Sequence, residues 1–328
     1  MGHKIVLDCD PGADDALALY FALAHPELEL LAITTTYGRV PLAQATRNAL
    51  LLCALAGRAE LPVCSGVPTP TRKVMGLHDP LSHGSDGLGD LPEQMTPVHG
   101  ADERSAARCI VELARAHPGQ LTLVCAGPLG NVAQALRLEP HLPELLGRLV
   151  VAGGSIAAPG EVSPVAELNF WLDPHAADQV LTAGFQLTML GLDVSQAAPV
   201  PLASIEALAQ QRSHPALAAL AHAVRVQAQA RAVSEAGEPA CPAGGLLGLV
   251  QVLQPDLFQT TTGRVRVVPD GLAEGQSILD RREELAYAQP GWESELPRVA
   301  AALAVDTAAA LDLVRRTLAS GWLSARPA

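Results

Sequence analysis

Apolar runs at residues 4–8, 29–36, 62–65, 121–126, 149–154 and 186–192 alternate with stretches at 14–25, 41–57, 103–116, from 129 and 174–183 whose apolar residues recur at helical spacing. Each run is too continuous for a strand with one wet face, so the pattern predicts a parallel sheet covered on both sides by helices. Beyond residue 200 the rhythm changes. Residues 201–254 read as helical, rich in Ala and Gln, with a break at 236–245; 259–282 read as paired strands and 294–318 as a closing helix. No linker-like shift in composition and no internal repeat divides the 328 residues. The expectation is a single α/β domain over 1–328, a mostly parallel central sheet flanked by helices with a Rossmann-like core.

In such folds ligands sit beyond the carboxyl ends of the strands. The irregular segments here follow predicted strand ends, which gathers Asp10, Asp14, Asp15, His83, Ala126, Glu167 and Asn169 on one rim. The longest, 66–100, is rich in Gly, Pro and His and reads as a functional loop. The first unit says most. Ile5-Val6-Leu7 runs into Asp8 and Asp10, Pro11-Gly12 turn the chain, and Asp14-Asp15 open the first helix. Four carboxylates within eight residues repel one another. A helix N-terminus offsets about 1 kcal/mol per charge at most, too little to hold four. A divalent cation accounts for the cluster, and all-oxygen ligands favour Ca²⁺ or Mg²⁺ over zinc. A competing reading makes Asp14 an N-cap, Asp15 a partner of the helix dipole, and Asp8 and Asp10 solvated turn residues.

Composition narrows the function classes. Hydrophobic content of 49% with 17% charged residues supplies a large core and excludes disorder. A net charge of −12 argues against a nucleic-acid partner, which needs a basic face. The six cysteines are dispersed, without a C-x-x-C pair, and most sit in apolar runs, as expected in a reducing compartment. The N-terminus runs straight into the first strand, and no stretch of 18 residues reads as a membrane span. A soluble, cytoplasmic protein is the expectation, with no membrane partner.

The spacing D-x-D-P-G-x-D-D-A resembles the signature of the inosine-uridine nucleoside hydrolase family. The likeness continues through LELLAITTTYG (29–38), TRNALLL (46–52), HGSDGLG (83–89), LTLVCAGPLGNVAQALRLEP (121–140), VVAGG (150–154), VAELNFWLDPHAAD (165–178) and LTMLGLDVS (187–195), and thins after about residue 200. The resemblance implies a hydrolase that splits ribonucleosides or related ribosides into ribose and free base, a small-molecule substrate, and a homodimer or homotetramer. It implies that Asp10 and Asp15 ligate Ca²⁺ together with the Ala126 backbone carbonyl, and that Asp10 is the general base. Asp14, Glu167 and Asn169 would hold ribose hydroxyls, and His83 falls in the substrate region. The residue types suit the chemistry: N-glycoside cleavage passes through an oxocarbenium-like sugar attacked by water.

The sequence also departs from the family pattern. An H-D-P segment before a late apolar helix, supplying a calcium-binding aspartate and a histidine that protonates the leaving base, falls on Ala243-Gly244-Gly245-Leu246. Glu238 is the nearest carboxylate that could substitute. Asparagines expected at two substrate-facing positions are Arg39 and Glu161. Arg39 could neutralise Asp10 or Asp14 as a bidentate partner, an alternative to the cation. The second reading is therefore a non-catalytic ribosyl-binding or interaction protein with a degraded metal site. A third, a haloacid-dehalogenase-type phosphatase, fits poorly, because D-x-D continues as Pro-Gly-Ala-Asp-Asp and Lys73 comes too early.

Overall fold

The computed structural model describes residues 2–72, 83–92, 95–235, 238–282 and 287–324. Lys73 lies outside them. Strands β1 (His3–Cys9), β2 (Leu28–Thr35), β3 (Val63–Ser65), β4 (Leu121–Cys125), β5 (Arg148–Ala152) and β6 (Leu187–Leu190) follow the predicted runs closely. A short pair, β7 (Val200–Pro201) and β8 (Ala240–Cys241), stands apart. Then come β9 (Phe258–Val267), β10 (Ser277–Asp280) and β11 (Val299–Val305). The main sheet has the order β10-β9-β11-β6-β5-β4-β1-β2-β3, and every pairing is parallel except those that β9 makes with β10 and β11. It is the mostly parallel α/β sheet that the pattern predicts.

One prediction needs correction. Residues 294–318 are not a single helix: Val299–Val305 is a strand, and only Thr307–Leu318 is helical, capped by Asp306, which accepts from the Ala309 N–H at 3.0 Å. The segment VAAALAV is alanine-rich and has high helix propensity, yet it lies between β6 and β9, whose unpaired backbone groups it satisfies. Tertiary pairing overrides the local preference.

Side chains alternate across the sheet. Ile5, Leu7 and Cys9 of β1 enter a core with the helices Ala13–Ala24, Pro215–Glu235, Gly244–Leu253 and Thr307–Leu318; Val6 enters a second core with Ala106–Ala116, Gly130–Leu138 and Pro174–Leu181. All six cysteines are buried free thiols. The helix Gly244–Leu253 is pressed hard onto the sheet. A Cβ added at Gly248 would lie 3.0 Å from Val124 of β4, so bulkier residues would lift the helix away. Because β1, β2, β4, β5 and β6 run in one direction, the segments after them meet at one edge.

Candidate active site

A cleft open to solvent lies at that edge. Asp10, Asp14, Asp15, Arg39, Ala126, Glu161, Glu167 and Asn169 all line it. His83 does not. It is buried beside the turn, its Nδ1 4.0 Å from where a Cβ on Gly12 would stand.

The acidic turn is held from several sides. Asp10 Oδ2 accepts from the Arg39 backbone N–H at 3.1 Å. Asn48 Nδ2 donates to the Pro11 carbonyl at 2.8 Å and to the Asp86 carbonyl at 2.7 Å, tying the turn to the 83–90 loop. Gly12 is the N-cap of the first helix, so Asp14 is not, and Asp14 and Asp15 occupy its first turn. Beneath them Asp8 is fully buried rather than solvated; its Oδ1 accepts from Thr34 Oγ1 at 2.5 Å and Asn131 Nδ2 at 2.7 Å. Burial pushes Asp8 up to about 6.

Asp10 and Asp15 are 8% and 5% exposed, and Asp14 is half-buried at the rim. Burial, then repulsion from Asp14, pushes Asp10 up to about 8, and Asp15 is held well above the usual carboxylate range by burial and by Asp14 and Asp10. A divalent cation between the two would oppose both effects by favouring the charged carboxylates. The Ala126 carbonyl lies in the same cavity and accepts from Asn169 Nδ2 at 2.8 Å, which leaves its second lone pair. These oxygens suit a hard cation, but the set is one carboxylate short. No group of three or more His, Cys, Asp or Glu among the described residues is arranged to hold a metal.

The short side-chain complement has a definite place. A Cβ on Gly245 would lie 3.5 Å from Asp15 Oδ1, so residue 245 faces Asp15, as its match to the late aspartate requires. Glu238 is exposed and does not line the cleft, so it is no substitute.

On the opposite wall Glu167 and Asn169 stand at the start of a short helix. Glu167 is the N-cap of the helix Leu168–Leu172: Oε1 accepts from Asn169 N, and Oε2 from Gly154 N and Phe170 N. Burial, then the charge of Glu161, pushes Glu167 up to about 7. Asn169 gives its amide hydrogens to the Ala126 and Ala152 carbonyls, so only Oδ1 is left for a ligand. Glu161 accepts from the Leu168 N–H at 3.2 Å.

The inosine-uridine preferring nucleoside hydrolase family model matches residues 5–312. The chain belongs to that family. Uridine nucleosidase 1 of Arabidopsis thaliana is 31% identical over 321 residues, 96% of this chain and 93% of its own. The inosine-uridine preferring nucleoside hydrolase of Crithidia fasciculata is 42% identical over 200 residues, 60% of this chain and 62% of its own. The structure of a plant nucleoside hydrolase superposes with a TM-score of 0.89 at 29% identity, covering 98% of this chain and 100% of its own. That of a purine-preferring ribonucleoside hydrolase from Gardnerella vaginalis gives 0.87 at 28% identity, covering 98% and 99%. Nucleoside hydrolases use a metal ion in catalysis. No helix among the described residues is long and apolar enough to cross a membrane.

Several residues of this nucleoside hydrolase site are invisible to motif reading. Asn48 and Asn131 lie inside the TRNALLL and GPLGN stretches, but nothing marks an isolated buried amide as the brace of a distant carboxylate. Asp193 and Asp86, unassigned from sequence, are both structural. Asp193 accepts from the N–H groups of Ile156, Ala157 and Ala158, and Asp86 from those of Leu88, Asp90 and Leu91. Asp173 caps the helix Pro174–Leu181, and also accepts from Tyr37 Oη and Thr71.

Proposed function

We propose that the protein hydrolyses the N-glycosidic bond of ribonucleosides or related ribosides to ribose and free base, with Asp10 as general base. The observation that carries this reading is the pair of buried carboxylates, Asp10 and Asp15, opening with the Ala126 carbonyl into one cleft. A buried pair of like charges is maintained at a cost unless a cation or a reaction uses it.

In this reading the metal is calcium, held by Asp10, Asp15 and the Ala126 carbonyl. The chemistry such a cation supplies is Lewis-acid activation of water. The remaining work falls to side chains. Asp10 takes a proton from the attacking water. Asp14, at the rim, accepts from ribose hydroxyls, and Asn169 Oδ1 and Glu167 accept on the opposite wall. Arg39 and Glu161 replace amides at the cleft and change what it accepts. The protein works as a cytoplasmic homodimer or homotetramer on a small-molecule substrate.

The competing reading, a ribosyl-binding protein without turnover, rests on the glycine at 245. Release of nitrophenol from p-nitrophenyl riboside separates the two, since that leaving group needs no acid. Calcium-dependent release that is lost with chelator and in Asp10→Asn is the expected result. No release above the Asp10→Asn background, with or without calcium, would favour the binding protein.

A further inference from the structure

The cleft is acidic, and with a divalent cation offsetting Asp10 and Asp15 the carboxylates left to face a substrate are Asp14, Glu161 and Glu167. Asp10, Asp14, Asp15, Glu161 and Glu167 line it, and Arg39 is the one cation among the described lining residues. Among the described residues that line it, proton donors for a leaving group are few. Gly244 and Gly245 line it without side chains of their own. Nearby groups do not stand in: Cys241 gives its thiol hydrogen to Gln227 Oε1 at 3.0 Å, and His83 lies outside the lining. Asn169 has given both amide hydrogens to carbonyls, and the Glu167 oxygens are acceptors of three backbone N–H groups. Arg39 carries a guanidinium, which does not release a proton in proteins.

A neutral purine or pyrimidine leaves as an anion unless it is protonated, and a positioned acid is worth about 10²–10⁴ in rate. A leaving group that already bears a positive charge at the glycosidic nitrogen needs no acid. It is also drawn into an acidic cleft, where low-dielectric walls focus the field. Building on the riboside-hydrolase reading, we propose that the preferred substrates are cationic ribosides of the N-ribosylpyridinium class. The C1′–N bond breaks with its electron pair passing to the ring nitrogen, which becomes neutral. The water oxygen bonds to C1′, and its proton goes to Asp10. Ribose, a neutral pyridine and one proton are the products.

The test compares N-ribosylpyridinium, p-nitrophenyl riboside, inosine and uridine on the full-length protein with calcium. Expected is a kcat/KM for the pyridinium about 100-fold or more above those for inosine and uridine, the size of a missing general acid. Inosine or uridine turned over as fast as the pyridinium overturns the proposal. If p-nitrophenyl riboside is cleaved and the pyridinium is not, the proposal falls while the hydrolase reading stands. If none of the four is cleaved, the hydrolase reading itself falls and takes the proposal with it.

Discussion

A Cβ on Gly245 would lie 2.7 Å from the Cβ of Ala126, closer than two such atoms can approach. The two small residues are therefore a matched pair: the helix Gly244–Leu253 sits where it does because neither carries more. Restoring a carboxylate at 245 meets this contact before it reaches Asp15. Gly245→Asp is expected to destabilise the fold by about 1–3 kcal/mol, the range for overpacking a close contact. Adding Ala126→Gly removes the clash, keeps the backbone carbonyl, and should recover most of that loss in urea unfolding. Calorimetry should then find calcium bound more tightly by the double variant than by the unaltered protein. Equal or weaker binding would show that 245 is not the vacated ligand position.

Gly38 controls Asp10 in the same way. A Cβ there would lie 1.7 Å from Asp10 Oδ2 and 2.2 Å from its Cγ, so Gly38→Ala must drive the carboxylate from its place. Displacing a reacting group by about an ångström costs on the order of 100-fold in rate, and that is the expected loss on p-nitrophenyl riboside. A loss of about 1–3 kcal/mol in urea unfolding, the range for overpacking, is expected beside it, with the near-ultraviolet dichroism still that of a folded protein. Activity within a few-fold of the parent would mean that the position of Asp10 does not matter.

These contacts mark the boundary of what the sequence discloses. The strand–helix rhythm and the lining role of Asp10, Asp14, Asp15, Ala126, Glu167 and Asn169 were legible because each follows a strand end, and strand ends of a parallel sheet share one edge; Arg39 and Glu161 came from the family resemblance. His83 also sits in a motif, but it is buried beside Gly12 and is not among the residues that line the cleft. The strand Val299–Val305 was illegible for another reason: a run of alanines shows no period-2 contrast, so only its two neighbours reveal it. The use of the Asn169 amide to hold two carbonyls was equally hidden, since spacing records which residues are near but not which hydrogens are already taken.

Asn131 is the brace with the largest structural stake. Fully buried, it donates to Asp8 Oδ1 at 2.7 Å and to the Thr35 carbonyl at 3.0 Å, and its Oδ1 accepts from Val67 N at 2.8 Å. Asn131→Ala removes a hydrogen bond from each of the three, leaving Asp8 Oδ1 with Thr34 Oγ1 alone. With about 1–3 kcal/mol for each buried group left unsatisfied, partly relieved by water, a net loss of about 3 kcal/mol is expected in urea unfolding. A loss below about 1 kcal/mol would show that the amide is replaceable, because that is the value of one ordinary hydrogen bond.

Glu161 and Glu167 make a prediction in pH. Glu167 is buried and pushed up to about 7, burial acting first and the Glu161 charge second, against an ordinary value of 4.5. An acid that holds its proton more tightly folded than unfolded stabilises the fold below its unfolded value, and that contribution is lost as pH rises through the folded value. The relevant window is therefore about pH 4.5 to 7. Glu161→Gln removes the repulsion while keeping an oxygen to accept from the Leu168 N–H. The variant should match the parent in urea midpoint near pH 4, where Glu167 is protonated in both states. It should then gain over the parent steadily until about pH 7, by a fraction of the 1.4 kcal/mol that one pKa unit is worth. A difference that is constant across pH 4 to 8 would mean that the two carboxylates do not interact. One that grows towards low pH would reverse the sign, and with it the conclusion that Glu161 raises Glu167.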